Sequence, residues 1–154
     1  MLLPVQLFFI FLKINYRFIL PKIFHCGLIK ILGIKISKKG EITKYRPLVL
    51  TSNHCSYLDI IVLSSIYPVC FIAKEEIKGW FFFGFLARLQ NTIFINRSNF
   101  KSLESVHKVS RNINNRYATV LFPEATTGSG KQILSFKSSL FKVFEDSDTI
   151  GLQN

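Results

Sequence analysis

From Arg46 onward, short apolar runs alternate with longer apolar or amphipathic stretches. PLVLTS (47–52) reads as a buried strand and YLDIIVLSSIY (57–67) is long enough for a helix. VCFIA (69–73) predicts a strand, GWFFFGFLARL (79–89) a helix and TIFIN (92–96) a third strand. Residues 99–117 carry the clearest helical period. Leu103, Val106, Val109, Ile113 and Tyr117 fall on one stripe, with Lys101, Glu104, Lys108, Arg111 and Arg116 on the other side. ATVLF (118–122) is a further strand, ended by Pro123. Strands alternating with helices predict an α/β fold: a mixed sheet flanked by helices.

The first third of the chain follows another pattern. Residues 1–12, MLLPVQLFFIFL, are uncharged but fall short of the roughly 20 apolar residues that span a bilayer. They also lack the basic start and small-residue cleavage site of a secretory signal. Residues 14–36 stay apolar but are interrupted by Arg17, Lys22 and Lys30, and Pro21 is expected to break any single helix there. Large apolar side chains interleaved with cations fit segments lying in a membrane interface. Two amphipathic helices covering a core would give the same pattern. The chain therefore divides into a basic, apolar helical segment (1–44) associated with a membrane, and an α/β domain (45–154).

Composition sharpens this division. One domain fits in 154 residues, 49% hydrophobic with sixteen Phe, yet the net charge is +11. Nine cations (Lys13, Arg17, Lys22, Lys30, Lys35, Lys38, Lys39, Lys44, Arg46) face one acid, Glu41, in the first 46 residues. An apolar and basic chain fits an anionic membrane surface. Nucleic acid is the weaker partner, because the aromatics cluster in runs such as GWFFFGF instead of interleaving with cations on a polar strand face. Cys26, Cys55 and Cys70 form no C-x-x-C pair, which points to a reducing compartment and away from a zinc site or disulfide framework. His25, His54 and His107 lack metal-ligand spacing, so no metal is expected.

Three strand ends carry polar clusters: SNHCSYLD, NRSN and PEATTGSGK. In open α/β sheets such ends are where ligands bind. His54 lies just after a strand with Asp59 five residues on, close enough for the carboxylate to take the Nδ1 proton bond and leave Nε2 as a base. With no G-x-S-x-G motif, the nucleophile of such a base would be a substrate hydroxyl. Ser56-Tyr57-Leu58-Asp59 also reads as a helix-capping box, which would make Asp59 structural. Arg97, where a strand gives way to a helix, is a candidate for binding a phosphate or carboxylate. The stretch 125–132 approaches a phosphate-binding loop but has Ala125 for its first Gly and Gln132 for the Ser or Thr that would hold magnesium. Glu124, behind a strand, is the better-placed polar group.

Together these residues resemble the glycerophospholipid acyltransferase family, of the 1-acyl-sn-glycerol-3-phosphate acyltransferase type. NHCSYLD, from Asn53 to Asp59, matches the family's N-H-x-x-x-x-D motif. TIFINR looks like its second motif, which usually ends F-I-D-R, and FPEATT like its third, F-P-E-G-T-R. FIAKEEIKGWFFFGFLARLQ is similar to the K-x-E-aromatic linker between the first two, and the likeness runs from Pro47 to Phe141. It implies that His54, supported by Asp59, deprotonates the free hydroxyl of a lysophospholipid, which attacks the thioester of acyl-CoA or acyl-carrier protein. Converting lysophosphatidic acid to phosphatidic acid is the reaction of that type. Arg97 would bind the acceptor's phosphate; Glu124, Thr126 and Asn53 would complete the acceptor site. No cofactor is implied beyond the thioester co-substrate. The enzyme would sit on a membrane at its cytoplasmic face, the inner membrane if bacterial.

The chain also departs from the family pattern. Asn96 stands where the second motif usually has Asp, Ala125 replaces Gly, and Thr127 replaces the Arg of the third motif, removing a phosphate contact. Relatives with F-P-E-x-T-T include acyltransferases of lyso-ornithine lipids, a second candidate acceptor. The family's fourth, valine- and proline-rich motif is not found before the chain stops at EDSDTIGLQN, so a truncated frame with reduced or absent activity is expected.

Overall fold

A computed structural model describes residues 19–43, 47–96, 108–109 and 118–141. Helix α1 spans Ile19–Ile31, followed by β1 (Leu48–Thr51), α2 (Leu58–Ile66) and β2 (Val69–Lys74). A 3-10 turn (Glu75–Gly79) leads into α3 (Phe81–Leu89), then β3 (Ile93–Ile95) and β4 (Ala118–Leu121), with a last 3-10 turn at Ser138–Leu140. The α/β expectation holds. The four described strands run in the order β1-β4-β2-β3, and each of their pairings is parallel. β4 is last in sequence but lies between β1 and β2, pairing Leu48 to Thr51 with Ala118 to Leu121 on one side and Val69 to Phe71 with Ala118 to Val120 on the other.

A parallel sheet must be covered on both faces, which explains why its strands read as continuous apolar runs. Alternate residues divide between two cores. Val69, Phe71, Ala118, Val120 and Phe122 pack with Leu48, Leu50, Ile60 and Leu63, so this face lies under α2. Cys70, Ile72, Ile93, Ile95 and Leu121 point the other way and pack with Val109, Ala125 and Leu140. Of the expected helix over 99–117 only Lys108 and Val109 are described. Both are helical, Lys108 exposed and Val109 buried, as the stripe predicts.

Pro21 is buried within α1 as described, and the residues before Ile19, on which the expected break at Pro21 depends, lie outside the described residues. α1 packs along α2, and the Cys26 thiol donates to the Ser65 carbonyl at 3.3 Å. Ile23, Phe24 and Ile31 remain exposed on α1, so it covers α2 with one side only. Among the described residues no helix is long and apolar enough to cross a membrane.

The expected helix over 79–89 begins two residues later, because Gly79 closes the 3-10 turn and Trp80 is the junction. Gly84 then fixes α3 against that turn: a Cβ there would lie 2.5 Å from the Lys78 carbonyl oxygen and 2.7 Å from that of Ile77. Both obstacles are backbone and cannot swing aside. Gly84→Ala should therefore lower stability by about 2 kcal/mol, read as a lower urea midpoint at unchanged slope.

A second prediction concerns acid. Burial holds the His25 imidazole below its ordinary pKa, partly opposed by its 2.6 Å hydrogen bond to the Pro21 carbonyl. A folded pKa below the unfolded one, about 6.5, favours the neutral ring. That contribution is complete above the unfolded pKa and is lost as pH falls through the folded value. Stability should fall as pH drops below about 6.5, and His25→Gln should flatten the fall, as measured by urea melts across pH.

Candidate active site

The site begins where β1 ends. Ser52 continues the ladder by donating to the Leu121 carbonyl at 3.1 Å, after which the chain leaves the sheet and turns into α2. The Ser56 hydroxyl accepts from the Leu58 amide at 2.9 Å and starts the helix. Asp59, in the first turn, places Oδ2 back toward the loop. That one oxygen accepts three hydrogen bonds: from the Cys55 amide at 2.7 Å, the Ser56 amide at 2.9 Å and His54 Nδ1 at 2.9 Å. The structural and chemical readings of Asp59 are thus both met, by the same atom. An acceptor-only carboxylate oxygen opposite Nδ1 places the imidazole proton there. In the neutral ring Nε2 then has its lone pair free, and among the described residues it has no hydrogen-bond partner.

β4 supplies the rest. Continuing its alternation beyond Leu121 puts Phe122 on the α2 side of the sheet, where its ring stacks under His54 with centroids 4.2 Å apart and planes 21° apart. Phe71 stacks behind Phe122 at 6.0 Å, so the imidazole rests on an aromatic column rooted in the core. The following loop wraps the histidine backbone: the Gly128 amide donates to the His54 carbonyl at 2.7 Å. A Cβ at Gly128 would approach Glu124 Oε2 to 3.3 Å. The chain then returns, with the Lys137 amide on the Pro123 carbonyl at 2.9 Å.

Glu124 is 3% exposed, and its Oε1 is buried with no hydrogen-bond partner among the described residues. A buried acceptor without a donor is costly, so this oxygen is the one group of the loop whose chemistry the surrounding protein leaves open. Thr126 is exposed beside it. Asn53 is also exposed, its amide nitrogen 3.2 Å from Cys55 Sγ. The pairing of β1 with β4 and the Gly128 amide on the His54 carbonyl thus set the loop that carries Asn53, His54 and Asp59 beside the loop that carries Glu124 and Thr126, about 70 residues apart in the sequence. Arg97 lies outside the described residues. β3, which precedes it, is three strands from β1, roughly 14 Å.

The phosphate-loop alternative finds no support here. A phosphate cradle needs free successive amides leading into a helix. In this loop the Ala125 amide bonds to Phe122, Gly128 to His54 and Lys131 to the Ser129 hydroxyl, and an irregular segment follows.

Sequence reasoning missed two supports, the Phe122 ring and the Gly128 amide. The signal for Phe122 was its place two residues beyond Val120 on an alternating strand. Nothing local marks Gly128, whose role comes from the pairing of β1 with β4.

Comparisons with known proteins follow from this geometry. Residues 33–150 match the family model described as Acyltransferase. A lyso-ornithine lipid O-acyltransferase of Rhizobium meliloti (strain 1021) is 40% identical over 141 residues, 91% of this chain and 48% of that protein. A 1-acyl-sn-glycerol-3-phosphate acyltransferase of Neisseria gonorrhoeae is 39% identical over 95 residues, 61% of this chain and 37% of that protein. The chain thus spans about half the length, or less, of these relatives. The crystal structure of the 1-acyl-sn-glycerophosphate (LPA) acyltransferase PlsC from Thermotoga maritima superposes with a TM-score of 0.65 at 20% identity, covering 92% of this chain and 68% of that one.

One residue of the loop is open to direct test. Ala125 is buried with φ of 62°, in the left-handed region where a Cβ costs roughly 1–2 kcal/mol. Ala125→Val adds a branched side chain to that strain and to a filled core, and should destabilise by about 2 kcal/mol or more. Ala125→Gly should change stability by less than about 1 kcal/mol, since relief of strain is offset by the lost buried methyl and a freer unfolded chain. Denaturation midpoints of the three proteins check both statements.

Proposed function

This chain belongs to the acyltransferase family, and we propose that it transfers an acyl group from a thioester to the free hydroxyl of a lyso-lipid, with His54 as general base. The observation that carries the reading is the Asp59 carboxylate on His54 Nδ1 with Nε2 left open at the end of the sheet. Nε2 takes the proton of the acceptor hydroxyl as its oxygen attacks the thioester carbonyl carbon. The tetrahedral intermediate collapses, the carbon–sulfur bond breaks, and the imidazolium returns its proton to the departing sulfur. Asp59 keeps the ring in the required tautomer and supports its positive charge, and the Phe122 ring keeps it from tilting. The thiol carrier is coenzyme A or acyl-carrier protein, and the lipid surface supplies the acceptor. Glu124, Thr126 and Asn53 position that acceptor, and Arg97 binds its anionic group.

Two acceptors compete. Lysophosphatidic acid is the one that the motif pattern implies. A lyso-ornithine lipid is favoured by the greater extent of the likeness to the Rhizobium protein and by Thr127, which stands where the usual third motif has a phosphate-binding Arg.

The test is acyl transfer by the purified chain in mixed micelles, offering both acceptors with acyl-CoA and with acyl-carrier protein. Product from the parent, even at the reduced rate expected of a truncated frame, supports the reading when His54→Ala loses a further factor of about 10²–10⁴ in kcat. Asp59→Asn, which replaces one acceptor oxygen by a donor, should lower kcat far more than it raises KM. A folded, lipid-bound chain that yields no product with either acceptor would overturn the reading and leave a non-catalytic membrane-bound form.

A further inference from the structure

Helix α3 has two unlike faces. One is docked through Gly84 and through Gln90, whose buried amide donates to Ser64 Oγ at 3.2 Å and the Val69 carbonyl at 2.9 Å. Arg88 reaches back to the Lys78 carbonyl at 3.0 Å and pins the same side. The rest of the helix is a ridge of aromatic side chains in water. Phe81 is 99% exposed and Phe82 61%, and Trp80, Phe83 and Phe85 are exposed beside them. The ridge runs to the active-site loop, because Tyr57, three residues from His54, stacks on Phe83 at 5.4 Å. An aromatic patch of this kind on an otherwise packed element marks a surface that is covered in use.

Charge decides what covers it. A net charge of +11 works against a second copy of the chain and favours an anionic surface. Near the ridge Lys74 is exposed and its stem can lie along an interface. Lys78 is paired with Glu75 at 3.1 Å and Arg88 is turned to the Lys78 carbonyl, so the pull toward an anionic surface comes chiefly from the nine cations of the first 46 residues. Trp80 at the start of the helix has the apolar body and polar N–H that settle at the headgroup boundary. We propose that the Trp80–Phe85 ridge inserts into the boundary between headgroups and acyl chains of an anionic bilayer, so that the mouth of the His54 site opens at the lipid surface. The ridge belongs to α3 and its junction, not to residues 1–44. This docking rests on the proposed reaction only for the reason that the site should face lipid.

Trp80 is the single tryptophan of the chain and reports on the ridge directly. The full chain would be mixed with vesicles of phosphatidylcholine and phosphatidylglycerol carrying bromine on their acyl chains, and Trp80 fluorescence followed. Quenching is expected, stronger from bromines near the headgroup than from deep ones, and persisting at high salt. Phe81→Ser/Phe82→Ser should lower vesicle partitioning about tenfold or more with unchanged circular dichroism and a urea midpoint little changed, because Phe81 is wholly exposed and Phe82 touches its neighbour Phe83 only edge-on. A parent that sediments with vesicles while Trp80 stays unquenched would overturn the proposal. So would a double variant that partitions like the parent, or a parent dimer that the double variant dissolves. Failure of acyl transfer alone would count against the reaction proposed above and leave the fluorescence result standing.

Discussion

The insertion of β4 between β1 and β2 is the constraint on which the rest of the molecule depends. Parallel pairing on both sides of β4 carries its C-terminal end to that of β1, although the two strands are about 70 residues apart. That adjacency sets Phe122 under the His54 ring and the Gly128 amide on the His54 carbonyl. It also buries Glu124 against the turn. Without it the histidine and its carboxylate would be a local motif at a helix start, with no floor and no second wall.

The site is built economically on the local side as well. A single oxygen of Asp59 caps the turn through two amides and orients the imidazole. Capping of the turn and orientation of His54 thus rest on one atom, and a residue at 59 without an acceptor oxygen would lose both. Ala125 shows the opposite arrangement, a residue held at positive φ by the packing on either side of it. Strain of this kind persists where neighbours over-determine the backbone, and here those neighbours are the core and the active-site loop.

Exposure is distributed as unevenly as charge. The central strands β4 and β2 are buried almost throughout, while α1 and α3 each turn one apolar side outward. For α3 the cause is visible in the sequence GWFFFGFLARLQ: a glycine permits close approach on one side, and among the described residues no element packs over the phenylalanines around it. The reaction and the bilayer docking proposed above would both make use of such a surface beside the His54 loop.

Much of this was legible in the sequence. The alternation of apolar runs gave each described strand to within a residue or two, because a buried parallel strand leaves no polar position to confuse the pattern. The spacing of His54 and Asp59 was likewise enough to predict their hydrogen bond, since five residues across a helix start bring the two together by local geometry alone. Whether Pro21 interrupts a longer helix turns on residues before Ile19, which lie outside the described residues. Phe122 as the floor of the histidine, Gly128 as its clamp and the unpartnered oxygen of Glu124 belong to the tertiary structure. Each depends on which strand lies beside which, and strand order is decided by long-range pairing that no local pattern records.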